Sequence, residues 1–317
     1  MVSKILIIGA CGQIGSELAY QLRAELGTEN IIASDITESN MALVKSGPFE
    51  TIDARSLGEI EACIQKHNVD TVYLMAALLS ATGEKYPEKA WDLNMNSLLN
   101  VLNLAKDKII SKVFWPSSIA VFGPTSPKTN TPQRTIMEPS TVYGITKQVG
   151  ERWCEYYFNN YGVDVRSIRY PGIISWKTLP GGGTTDYAID IFHKAINEGH
   201  YDCFLTEDTA LPMMFMEDAV KATLDIMNAD AAAVKIRSSY NLSAISFTPK
   251  QLATEIAKQI PEFTMSYNPD FRQKIANSWP NSIDDADARQ DWNWKHRYDL
   301  VAMTNEMLLQ LGKQAVS

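Results

Sequence analysis

The chain has 317 residues, 45% of them apolar and 21% charged, enough for one large domain or two moderate ones with a substantial core. A formal net charge of −8 argues against the basic footprint that binding to nucleic acid or an anionic membrane needs. No apolar run approaches the roughly 20 residues of a membrane span. The four cysteines (Cys11, Cys63, Cys154 and Cys203) are scattered without a C-x-x-C, and the four histidines show no ligand spacing. Reduced thiols, no disulfide framework and no metal are expected. The chain starts almost directly on an apolar run, with no signal or transit pattern, so a cytoplasmic protein is expected.

Lys4–Ile8 reads as a buried strand. It runs into Gly9-Ala10-Cys11-Gly12-Gln13-Ile14-Gly15 and then a helical pattern at Ile14, Leu18, Leu22 and Leu26. Strand, glycine turn and helix in this order let a backbone approach a pyrophosphate at the helix N-terminus. A second strand, Ile31–Ser34, ends in Asp35, placed to accept hydrogen bonds from ribose hydroxyls. No arginine or lysine follows among Ile36–Asn40 to take a 2′-phosphate, which favours NAD over NADP. A cap for the next helix is the other reading of Asp35. The short strand Glu50–Ile52 ends in Asp53, expected at the adenine edge.

The alternation continues with a helix at Leu57–His67, a strand at Thr71–Met75, a long helix at Tyr86–Lys108 and a strand at Lys112–Trp115. A Pro/Thr/Ser-rich loop, Gly123–Ser140, leads to a helix beginning near Tyr143, and Val163–Ile168 is the next strand. Strands alternating with helices imply right-handed crossovers and a doubly wound, parallel α/β sheet of the Rossmann type. The strand ends then place Gly9, Asp35, Asp53, Ala76, Ser118 and Tyr170 around one crevice.

Tyr143 and Lys147 lie four residues apart, so on a helix they share a face. A phenol ionises near pH 10 and is a poor base at neutral pH. A neighbouring ammonium and a positively charged nicotinamide favour the phenolate. Ser118, behind the apolar run Val113, Phe114 and Trp115, is placed to hydrogen-bond a substrate oxygen. Taken alone, Tyr143 and Lys147 also read as an ordinary helix pair.

After Tyr170-Pro171-Gly172 the alternation breaks. Leu179-Pro180-Gly181-Gly182-Gly183 reads as a flexible loop into a helix at Thr184–Glu198, with Thr184 or Thr185 as N-cap and Asp186 in its first turn. Three consecutive glycines suggest a hinge, and the helix N-terminus after them suits a carboxylate. Leu211–Met216 and Glu217–Asn228 read as strand and helix, and Thr248-Pro249-Lys250-Gln251 as a capping box opening a helix to Ile260. Residues 275–294 read as loops and short helices. A cofactor domain over residues 1–170, with segments returning near 211–242, and a smaller, partly interleaved substrate domain over 171–317 are expected.

Together these pieces resemble the extended short-chain dehydrogenase/reductase family, similar in layout to UDP-galactose 4-epimerase. The likeness rests on Gly9/Gly12/Gly15, Asp35, Asn94, Ser117-Ser118-Ile119-Ala120-Val121-Phe122-Gly123 and Tyr143/Lys147. Phe122 stands where many relatives carry tyrosine. Pro180–Ala188, Ile275–Pro280, Ser282–Asp285 and Ala288–Trp292 resemble the signature of the short-chain-type, metal-free L-threonine 3-dehydrogenases.

The resemblance implies oxidation of the threonine β-hydroxyl by NAD to 2-amino-3-ketobutyrate, with Ser118, Tyr143 and Lys147 catalytic. It extends the cofactor contacts to Gln13, Ile14, Ala54, Leu74, Ala76 and Ala77, with Asn94, Tyr143, Lys147, Tyr170 and Ile173. Around the substrate it implies Ser80, Ser118, Tyr143, Thr184, Thr185 and Trp279. It also implies a homodimer through the helices bearing Asn94 and Tyr143, and no nucleic-acid or membrane partner. A nucleotide-sugar epimerase or dehydratase on the same scaffold is the alternative, as is a non-catalytic NAD-sensing protein, though the latter tends to lose the Tyr/Lys pair.

Overall fold

The structure, a computed structural model, describes residues 3–179 and 183–316. In chain order the first elements are β1 (Ile5–Ile8), α1 (Gln13–Leu26), β2 (Ile31–Asp35), α2 (Met41–Lys45), β3 (Phe49–Thr51), α3 (Leu57–His67) and β4 (Thr71–Leu74). Next come α4 (Ser80–Lys85), α5 (Pro87–Trp91), a π-helical turn (Asp92–Asn96), α6 (Ser97–Lys106), β5 (Lys112–Ser118), α7 (Val142–Tyr161) and β6 (Asp164–Tyr170). They are followed by β7 (Gly172–Ile174), α8 (Tyr187–Asn197), β8 (His200–Cys203), β9 (Leu211–Phe215), α9 (Met216–Asn228), β10 (Tyr240–Asn241) and β11 (Ile245–Phe247). The last are α10 (Pro249–Ala257), β12 (Thr264–Tyr267), α11 (Phe271–Ser278), α12 (Ala286–Trp292) and α13 (Leu300–Val316). Among the described residues no helix is long and apolar enough to cross a membrane.

The chain divides into two compact units. The first comprises residues 1–118, 141–169 and 220–240; the second comprises 119–140, 170–219 and 241–317. A seven-stranded sheet, ordered β10-β6-β5-β4-β1-β2-β3, organises the first. Strands β3, β2, β1, β4 and β5 are parallel, and β1 and β4 are buried along their whole length, as a sheet covered on both faces requires. Leu6, Ile8, Val72, Leu74, Val113 and Trp115 join Leu98, Val101, Leu102 and Cys154 of the covering helices in one core. Because these strands run in parallel, Gly9, Asp35 and Ala76 follow or close their C-terminal ends along one edge.

The expected helix over 86–108 is three pieces. Pro87 starts α5 after a break at Tyr86, and the π-turn widens the helix at 92–96 before α6 resumes. A π-turn inserts one extra residue into a helix, and here it turns Asn94 and Met95 into the interior. The short α4 before it was not foreseen. Helix α7 begins where Thr141 accepts a hydrogen bond from Gly144 N–H at 3.0 Å, and it ends at Gly162, φ 68°.

In the second unit β11, β9 and β7 form one small sheet and β12 and β8 another. The Thr248/Gln251 capping box opens α10 as the sequence indicates. The Pro/Thr/Ser-rich segment belongs to this unit because the 275–294 region holds it. Lys128 Nζ donates to the Ser278 carbonyl at 2.7 Å, and Thr131 N–H to the Ser282 carbonyl at 3.0 Å. Asn241 donates to the carbonyls of both Thr131 and Asp284 at 3.1 Å. Helix α8 starts at Tyr187 rather than Thr184. Residues 184–186 form a turn, and the Asp186 carboxylate bonds back to Gly183 N–H at 2.7 Å, so neither threonine is the cap.

Candidate active site

The glycine turn after β1 is built for close approach. Gly9 has φ +90°, and a Cβ there would meet Ala76 N at 2.4 Å. A Cβ at Gly15 would meet the Gly9 carbonyl at 2.3 Å. No side chain caps α1, so its first-turn N–H groups are left for an incoming anion. Gln13 and Ile14 open that helix. The turn is tied to β2, with Gly9 N–H and Ala10 N–H both donating to the Ser34 carbonyl, at 2.9 and 2.8 Å.

Asp35 completes this tie, its two oxygens accepting from Cys11 N–H at 2.9 Å and Ile36 N–H at 2.8 Å. It is not a cap for the following helix: Asn40 fills that role, accepting from Leu43 N–H at 3.1 Å. The half-buried carboxylate beside the glycine turn keeps lone pairs beyond these two bonds. Asp53 is already engaged. Arg55 grips its carboxylate through Nη2 at 2.6 Å and Nε at 3.0 Å, and this holds the group below the usual carboxylate range. Ala54 beside it is buried, and Leu74 lies in the core.

Asn94 spends its side chain on the protein. Its Oδ1 accepts from Leu78 N–H at 2.8 Å, while Nδ2 donates to the Leu78 carbonyl at 3.2 Å and to Thr146 Oγ1 at 3.1 Å. It thereby fixes the loop carrying Ala76 and Ala77 against α7. Ser80 opens α4, and that short helix is fastened by Glu84, which accepts from Val142 N–H at 2.7 Å one residue before Tyr143.

The Ser118 hydroxyl hydrogen-bonds the Tyr143 phenol, so the end of β5 and the start of α7 bring these two groups together. Burial pushes the phenol up to about 12, and the Ser118 bond opposes that shift. Lys147 is 3% exposed and donates to the Pro116 carbonyl at 2.6 Å. Its ammonium lies 4.5 Å from the Trp115 ring centroid and 5.5 Å from that of Tyr143. Among the described residues no carboxylate lies within salt-bridge distance of it. Burial pulls it down to about 7, with Cys154 and Glu151 opposing. The expectation that Lys147 lowers the Tyr143 phenol therefore meets a stronger opposing effect in the protein alone, because both groups are desolvated.

Tyr170 closes β6 and Ile173 lies in β7. Thr184 is buried, Thr185 packs its Cγ2 on Gly172, and Trp279 is buried directly after α11. Of the expected hinge, Gly181 and Gly182 lie outside the described residues. Glu84, Thr146, the Pro116 carbonyl and the Glu151–Arg169 pair are not among the residues expected from the sequence. Only Glu151 left a local signal, one turn after Lys147.

The profile of the NAD-dependent epimerase/dehydratase family matches residues 5–243. An uncharacterised epimerase/dehydratase of Staphylococcus saprophyticus is 48% identical over 97% of this chain and 96% of its own. The solved GalE-like L-threonine dehydrogenase from Cupriavidus necator, in its holo form, is 55% identical with TM-score 0.95, covering 97% of this chain and 99% of that one. A monomeric L-threonine 3-dehydrogenase from a metagenome is 48% identical with TM-score 0.93, covering 98% and 99%. The chain belongs to the NAD-dependent epimerase/dehydratase family and uses NAD as its cofactor.

Proposed function

We propose that this NAD-dependent oxidoreductase oxidises the 3-hydroxyl of L-threonine to 2-amino-3-ketobutyrate, a step of threonine breakdown in the cytoplasm. The observation that carries the reading is the full-length likeness to solved L-threonine dehydrogenases, in a chain that keeps Ser118, Tyr143 and Lys147 together. Bound NAD supplies the hydride acceptor for the hydrogen on the threonine β-carbon. Tyr143 takes the hydroxyl proton as a phenolate, and Ser118 orients the reacting oxygen. Lys147 holds the nicotinamide ribose and presents its charge to the Tyr143 ring. Gly9, Gly12 and Gly15 with Gln13 and Ile14 hold the pyrophosphate, and Asp35 the adenosine ribose. Asn94 acts one step back, by fixing the Ala76–Leu78 loop.

NAD preference is expected to follow Asp35. Replacing it by serine together with Ile36→Arg should narrow the NAD/NADP ratio of kcat/KM by about 10–100-fold, the value of a hydrogen bond to a charged group. A wild-type enzyme already indifferent to the 2′-phosphate would leave Asp35 as a tether for the glycine turn alone.

Ser80, Thr184, Thr185 and Trp279 are proposed for the amino-acid portion on the resemblance. Since Thr185 caps no helix, Thr185→Ala should leave the melting temperature and NAD affinity nearly unchanged and raise KM for threonine by about tenfold or more, the loss of a charge-assisted hydrogen bond. A fall in melting temperature with KM unmoved would make the residue structural.

The sugar-nucleotide alternative is kept because the curated relative is described only as an epimerase/dehydratase. Incubation with UDP-galactose and UDP-glucose should return each unchanged; interconversion would favour that alternative. A homodimer is proposed through the helical stretch 87–106, which bears Asn94, and α7, which bears Tyr143; Trp91, Ile145 and Tyr156 on these elements are exposed. Sedimentation at equilibrium should give twice the chain mass; a monomer, as in the metagenome relative, would remove this element alone.

A further inference from the structure

Glu151 of α7 and Arg169 of β6 form an ion pair sealed inside the first unit, with side chains 0% and 2% exposed. Arg169 Nε donates to Oε1 at 2.8 Å and Nη2 to Oε2 at 2.7 Å. The Ser117 hydroxyl, itself buried, donates to the same Oε1 at 2.6 Å. A buried pair of this kind gives little net stability over an apolar pair of the same shape, so stability does not account for it. Its position does.

Ser117 stands between Pro116, whose carbonyl receives Lys147 Nζ, and Ser118, whose hydroxyl meets Tyr143. Glu151 lies one helical turn beyond Lys147 on the same face of α7. One carboxylate thus pins the strand end that supplies both partners of the Tyr143–Lys147 pair. The same carboxylate bears on the charge of Lys147. From α7, Lys147 faces Tyr143, Glu151 and Cys154; from β5 it faces the Trp115 ring and the Pro116 carbonyl; from β6, Arg169 reaches it through Glu151. Burial pushes the Cys154 thiol far above its ordinary value, so it is neutral at working pH. Glu151 is left as the fixed negative charge near Lys147, and it is shared with Arg169.

We propose that Glu151 and Arg169 are positioning residues of the reaction: Glu151 fixes the Pro116–Ser118 strand end, and its balance against Arg169 sets the charge carried by Lys147. With burial holding Lys147 well below its ordinary value, a change in that balance shifts the pH at which it passes between ammonium and amine. Removing Arg169 alone frees the full field of Glu151 and favours the ammonium. Removing both charges takes away the nearer attraction and favours the amine. The proposal rests on the place of Lys147 in the site, but its test needs neither substrate nor cofactor and so fails separately from the threonine reading.

The test is a pH titration of protein labelled with ¹³C at the lysine ε-carbon, followed by ¹H–¹³C correlation spectra. The Lys147 resonance is identified by its loss in Lys147→Met. The wild-type midpoint should lie well below the ordinary lysine value. Arg169→Met should raise it by about one unit, a tenfold change in proton affinity. The charge-free pair Glu151→Gln/Arg169→Met, which keeps an acceptor for Ser117, should lower it by about half a unit or more. A pair with a purely structural role would change the melting temperature and leave the midpoint in place. A midpoint in the double variant within about 0.3 unit of wild type, or moving upward, overturns the proposal. Should Arg169→Met not fold, the double variant decides alone.

Discussion

Tyr143→Phe should lower kcat by about 10²–10⁴-fold while NAD affinity stays within about twofold, the loss expected when a positioned general base is removed from an intact pocket. The substitution deletes one oxygen, whose hydrogen-bond partner, the Ser118 hydroxyl, stays in place at the end of β5. Stopped-flow turnover and NAD titration of the same preparation separate the two quantities. A Phe variant with near-normal kcat would remove Tyr143 from the chemistry.

The pH dependence follows from the same group. Burial raises the phenol to about 12, with Ser118 opposing, so the ionised fraction climbs about tenfold per pH unit well below that value. Wild-type kcat is therefore expected to rise across roughly pH 6 to 10, and a flat profile would contradict the assignment.

Gly9→Ala is expected to have the next largest effect, on cofactor binding. The residue sits at φ +90°, where an L side chain costs about 1–3 kcal/mol in backbone strain. Its Cβ would also lie 2.4 Å from Ala76 N and 2.7 Å from Ala76 Cα, both backbone atoms that no rotamer change can move. The ends of β1 and β4 must separate to admit it, and with them the turn proposed to hold the pyrophosphate. NAD affinity should fall by about 100-fold or more, the equivalent of the upper part of that strain, with a lower melting temperature. Calorimetric titration and thermal unfolding check both, and wild-type values in both would show that the turn is not held as described.

The cofactor half of the fold was legible because its signals are local. A buried apolar run followed by glycines three apart, and an acid at the end of the next strand, each need only a few neighbouring residues to read. The 86–108 region misleads because the bonds that use its π-turn, from Asn94 to Leu78 and Thr146, join residues distant in sequence. The start of α8 was placed three residues early because Asp186 folds back on Gly183 and delays the helix to Tyr187, a choice that composition does not reveal. Glu151 was visible at one turn from Lys147, but its commitment to Arg169 and Ser117 is set by how α7 lies on β5 and β6.

Substrate identity is tested most directly by following NADH absorbance on mixing the purified protein with NAD and L-threonine, with the product identified by mass spectrometry. If L-threonine is the substrate, NADH forms in a one-to-one ratio with 2-amino-3-ketobutyrate or its decarboxylation product, and none forms with Tyr143→Phe on the same timescale. No NADH from L-threonine, with turnover of a UDP-sugar by the same preparation, would contradict it.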